Sequence, residues 1–203
     1  MMRSELKFSE TRSGWMLEGA SPNRLRDLLE EFGQVAAAAG APVFELAPGL
    51  PEDDVTGTLR DAGLPCPGEL VVWFGWHNGH SAEKPGAASS LPQMIASSLS
   101  SAINYGLVPT SNGSPPMMLL TEEPWGLAIE LSVENDTPPV RFLSEGEDPD
   151  AESRHLFRGL SLCTVVAWWL IGTGQGGYVW DGGQWQVTDV ALLADSQRSA
   201  HFY

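Results

Sequence analysis

Basic residues, cysteines and long apolar runs are all scarce in this chain, and each shortage removes a class of function. Eleven Lys and Arg stand against 26 Asp and Glu in 203 residues, a formal net charge of −15 at pH 7. A field of that sign repels phosphate backbones and anionic lipid, so it argues against nucleic acid and against a membrane surface as partners. Only two cysteines occur, Cys66 and Cys163. They lie far apart and outside any CxxC or Cys/His cluster, which leaves no zinc motif and favours two small buried hydrophobes with reduced thiols. The longest apolar run, Val165 to Ile171, falls well short of the ~20 residues that a spanning helix needs. The first residues, Met1-Met2-Arg3-Ser4-Glu5-Leu6-Lys7, lack the apolar stretch of a signal peptide. The expectation is a cytoplasmic protein.

The usual signatures of chemistry are missing as well. The four histidines are His77, His80, His155 and His201. His77 and His80 are three residues apart but have no third ligand in register, so no metal is expected. Gly172-Thr173-Gly174-Gln175-Gly176-Gly177 has no lysine, follows a helix and leads into a strand, the wrong context for a phosphate loop. It reads as a helix-to-strand turn. No GxSxG elbow is present. Asp53-Asp54 and Glu122-Glu123 are sequence neighbours at a helix start and a turn, with nothing to bring them into a shared pocket for acid–base work. We expect no catalytic residues, no cofactor and no enzyme activity.

What the chain does have is a core. Hydrophobic residues make up 42% of it and there are eight tryptophans, more than a disordered chain carries. Ser21-Pro22 starts a helix, with serine as cap and proline just inside, and Leu25, Leu28, Leu29, Phe32 and Val35 keep helical spacing up to Gly40. Pro51-Glu52-Asp53-Asp54 starts a second helix running to Ala62-Gly63. A further helix is expected over Leu91–Ile103 and a last one over Ser161–Ile171. Short strands are expected at Trp15–Leu17 and Val43–Leu46. Met117–Leu120, Gly126–Val133 and Val140–Leu143 read as a meander, and Asp181-Gly182-Gly183 as the turn of an aromatic hairpin. Helices first, then an antiparallel sheet, then a helix imply a single α+β domain, a mainly antiparallel sheet flanked by helices. The division is an N-terminal extension over 1–20, the domain over 21–186 and a C-terminal tail over 187–203.

The stretch from Leu64 to Gly79 is the most distinctive. Leu64-Pro65-Cys66-Pro67-Gly68-Glu69 fixes a helix start, where proline costs no hydrogen bond and glutamate suits the dipole. Leu70, Trp73 and Phe74 give the helix an apolar face, and Trp76-His77-Asn78-Gly79 stops it, with Asn and Gly both tolerant of a left-handed cap. This unit resembles the signature helix of the SUKH superfamily, which covers fungal cell-wall-synthesis regulators and many bacterial immunity proteins. The late helix Leu160-Ser161-Leu162-Cys163-Thr164-Val165-Val166-Ala167-Trp168-Trp169-Leu170 is similar to a second family pattern. The matching segments run from about residue 24 to 185. Gly106 stands where the family's strand usually begins with tryptophan.

The resemblance implies a non-catalytic binding protein of the immunity type, which captures and neutralises a toxin domain. At −15, a basic toxin domain is the expected partner, since a complementary field speeds capture. Candidate partner-binding residues are the acidic loop Glu145, Glu147, Asp148, Asp150 and Glu152 with the turn carboxylates Glu122 and Glu123. The alternatives are a regulatory or scaffold module of the cell-wall-regulator type, and a small-molecule-binding domain lined by the tryptophans that a core does not house. One or two exposed tryptophans would anchor an interface.

Overall fold

The computed structural model describes residues 6–11, 14–41, 46–80, 91–92, 95–109, 115–122, 125–132, 135–144, 158–159 and 161–194. In chain order the elements are β1 (Phe8–Thr11), β2 (Gly14–Leu17), α1 (Pro22–Ala38), β3 (Leu46–Pro48), α2 (Glu52–Asp61), α3 (Gly68–Trp76), β4 (His77–His80), β5 (Ile95–Ala96) and α4 (Leu99–Tyr105). Then follow β6 (Leu107–Val108), β7 (Met117–Leu119), β8 (Thr121–Glu122), β9 (Trp125–Glu130), β10 (Val140–Ser144), β11 (Arg158–Gly159), α5 (Leu162–Gln175), β12 (Tyr178–Asp181) and β13 (Gln184–Val187). A 3-10 turn over Val190–Leu192 comes last. The fold is α+β, as the order of patterns implies.

Local chemistry sets most helix starts. The Ser21 side chain accepts the Arg24 amide at 3.1 Å with Pro22 in the first turn of α1, and the Ser161 hydroxyl accepts the Thr164 amide at 3.2 Å to open α5. Serine or threonine at that position gives an amide of the first turn the acceptor that the helix itself cannot supply. Gly176, at φ 80°, closes α5 in the left-handed region. The helix therefore runs one turn further than Ile171 and takes in Gly172 to Gln175 of the expected glycine turn. Gly172 sits inside it because a Cβ there would run into the Tyr178 ring.

Two other expectations need correction. The helix expected over Leu91–Ile103 begins only at Leu99, where Ser98 accepts the Ser101 amide. Upstream, Ile95–Ala96 pairs with β8 instead, and the backbone there is extended. α3 ends at Trp76 through an extended residue, His77 at φ −158°, and not through a left-handed cap. The positive φ falls later, at Gly79 inside β4, where the chain passes against the backbone of Ser97 and Ser98. The strand expected at Val43–Leu46 is seen only from Leu46 onward, its other residues lying outside the described ones.

The main sheet has seven strands in the order β1-β2-β11-β10-β9-β7-β6, antiparallel except where Gly159 of β11 meets Trp15 of β2. The hairpin β1–β2 thus joins the sheet across residues read as an N-terminal extension. Residues 162–170 of α5 are buried all round, the mark of a central helix. It packs against α1 and against β2, β11 and β12, and α1 and α2 both pack against α3. Leu25, Leu28, Leu29 and Phe32 of α1 meet Trp73 and Phe74 of α3, Trp168 and Trp169 of α5, and Leu127, Ile129 and Val140 of the sheet in one hydrophobic cluster.

Candidate functional site

Two polar residues of the Leu64–Gly79 segment, Glu69 and Asn78, each fasten a distant helix. Glu69 is wholly buried. Its Oε2 accepts the Leu162 amide at 2.8 Å and its Oε1 accepts the Cys163 amide at 3.1 Å. With Ser161 taking the Thr164 amide, the first three amides of α5 all have acceptors. The start of α3 is served from elsewhere too. Its Pro67 cap offers no side-chain acceptor, and Asp136, in the turn before β10, supplies a carboxylate oxygen to the Gly68 amide and its backbone carbonyl to the Glu69 amide. Asn78 Oδ1, in β4, accepts the Leu99 amide at 2.8 Å and so caps α4. One segment holds α3, α4 and α5 together through their ends.

The surroundings of Glu69 are dry. Burial outweighs the two amide bonds and pushes its carboxyl up from 4.5 to about 7. The neighbouring Cys163 thiol donates to the Ser21 carbonyl at 3.3 Å, and burial with the adjacent Glu69 charge pushes it up to about 12. A thiol held neutral and sealed from water is a poor nucleophile. Thr164 ties in the sheet, its Oγ1 accepting the Leu17 amide of β2 at 2.9 Å. The arrangement is a polar knot joining α1, α3, α5 and β2.

His77 is also a core residue, 2% exposed, with its ring 4.3 Å from Trp76 and 5.3 Å from Trp73. Its Nδ1 accepts the Gly79 amide. Among the described residues no group of three His, Cys, Asp or Glu is placed to hold a metal ion.

The accessible chemistry lies on the outer helices. Asp27, Glu30 and Glu31 are exposed on α1, and Glu52, Asp53, Asp54 and Asp61 on α2. Arg26 and Arg60 are the exposed basic residues among them. Both helices pack against α3. Of the residues selected from sequence, Glu122 lies in β8, its backbone paired with Ile95. Glu123, Glu145, Glu147, Asp148, Asp150 and Glu152 lie outside the described residues. β10 and β11, which precede and follow that segment in sequence, are neighbours in the sheet. The carboxylates of α1 and α2 carry no signal in the sequence beyond the polar side of a helix, and only the fold shows them exposed on helices packed against α3.

The expected tryptophan anchors are absent among the described side chains. Trp73, Trp168, Trp169 and Trp185 are buried, and Trp15, Trp76 and Trp180 are half-buried. Among the described side chains the exposed aromatic is Tyr105, 87% exposed at the end of α4, next to Leu107 at 40% on the sheet edge.

No helix of the described residues is long and apolar enough to cross a membrane. A comparison with protein-family models finds no match for this chain, and a search of curated proteins finds none.

Proposed function

We propose that the chain is a non-catalytic binding protein of the immunity type, capturing and neutralising a basic toxin domain. The observation that carries this reading is a division of labour across the SUKH-like segment. Its polar residues Glu69 and Asn78 are spent on helix ends, while α1 and α2, the helices packed against α3, present Asp27, Glu30, Glu31, Glu52, Asp53, Asp54 and Asp61 to solvent. Such a surface, on a chain of net charge −15, draws in a basic protein faster than diffusion alone and repels nucleic acid that would compete for the same site. An inhibitor of this kind has to outcompete the toxin's own target, which calls for a Kd of ~1 nM or tighter, about −12 kcal/mol.

The test separates two acidic surfaces. Charge reversal of Glu30, Glu31, Asp53 and Asp54 in one variant, and of Glu147, Asp148 and Asp150 in another, is followed by association kinetics with the captured toxin at low and moderate salt. The surface that meets the partner slows association when reversed and flattens its salt dependence. Unchanged on-rates in both variants would reject electrostatic capture.

A further inference from the structure

Glu69 of α3 occupies an unusual position for a carboxylate. It is a wholly buried carboxylate on the seam between two helices, held by two backbone amides and, among the described residues, with no cation bridged to it. The groups that face it from the packed elements are few. From α5 comes the Cys163 thiol, and from α1 the Ser21 carbonyl on that thiol, with the Arg24 guanidinium acting on the thiol and not on Glu69 itself. From the turn before β10 comes Asp136, bound to the amides of Gly68 and Glu69. A charge in such a place is stable only while both amides stay on it.

We propose that Glu69 and Cys163 form a proton-responsive clasp fastening the first turn of α5 to α3, closed by two amide bonds when the carboxyl is charged and by one when it is neutral. Taking a proton from solvent makes one carboxyl oxygen a hydroxyl donor and leaves it a much weaker acceptor. The bond from one of the Leu162 and Cys163 amides is then largely lost, and the new O–H faces the Cys163 sulfur. Losing the proton restores both bonds and returns an uncompensated charge to the seam.

The clasp is tested on the full chain by NMR titration from pH 4 to 9. The Glu69 carboxyl carbon and the amides of Leu162 and Cys163 are expected to titrate together with a midpoint near 7, and Glu69→Gln to abolish the movement of both amides. A carboxyl midpoint at or below 4.5 would overturn the proposal. So would flat amides across the carboxyl transition, or amides that still titrate in Glu69→Gln. If that variant does not fold, the wild-type titration alone decides, since common or separate midpoints already distinguish the outcomes.

Discussion

Glu69 accepts the backbone amide of Leu162 at 2.8 Å across 93 residues of sequence, and in doing so closes the N-terminus of the central helix. Its second oxygen takes the next amide, that of Cys163. A helix buried all round cannot leave its first amides to water, so some side chain in the core has to reach them. Glu69 of α3 fills that need.

Glu69→Ala therefore leaves two buried amides without acceptors and opens a cavity, and should cost about 3 kcal/mol in urea unfolding at pH 7. Glu69→Gln keeps the shape and one acceptor and should cost less, about 1 kcal/mol. A loss within 0.5 kcal/mol for the alanine variant, on the scale of an ordinary surface change, would show that α5 does not depend on this cap.

The same carboxyl sets a pH dependence. Its folded value, about 7, lies above its ordinary 4.5, so between the two the folded state binds more protons than the unfolded chain. Stability from this group is full below 4.5, falls as pH rises to about 7 and is level above that. The difference is about 3 kcal/mol at most. Subtracting the profile of Glu69→Gln from that of the wild type, both from chemical denaturation, isolates the term. A difference that is flat between pH 5 and 8 contradicts it.

Asn78 makes the second long-range cap. Asn78→Ala should cost about 1 kcal/mol and loosen α4 first, whereas Asn78→Asp, which keeps an oxygen for the Leu99 amide, should cost less. Amide exchange over residues 99–105 reports the difference. Equal protection in both variants would mean that Ser98 alone suffices.

Two glycines give opposed predictions. A Cβ on Gly49 would overlap the Gly75 carbonyl at the end of α3, next to the point where the Leu50 amide bonds Phe74. Gly49→Ala should cost roughly 3 kcal/mol or abolish folding. Gly57 lies inside α2 with open space around it, so Gly57→Ala should add about 0.5–1 kcal/mol through helix propensity. Melting curves of the two variants moving in the same direction would contradict the packing described here.

What was legible in the sequence was local. Ser21-Pro22, the meander strands and the Asp181-Gly182-Gly183 turn are set by neighbours within a few residues, and both turn glycines have the positive φ that the hairpin needs. What was not legible depended on partners far along the chain. Glu69 reads as a first-turn acid suited to the dipole of its own helix, and its side chain goes instead to another. His77 reads as a polar helix end, yet it becomes a buried strand residue because β3 offers a pairing partner. Leu91–Ile103 has helical composition throughout, but pairing with β8 holds its middle extended. The serine-rich pattern carries no trace of that strand.

The most direct test of the account is capture. The protein is used as bait in a lysate of its own source, at low and moderate salt, with bound chains identified and quantified by mass spectrometry. The account predicts one stoichiometric basic partner, held tightly, captured faster at low salt and neutralised on co-expression. Several substoichiometric partners, or none under either condition, would contradict it.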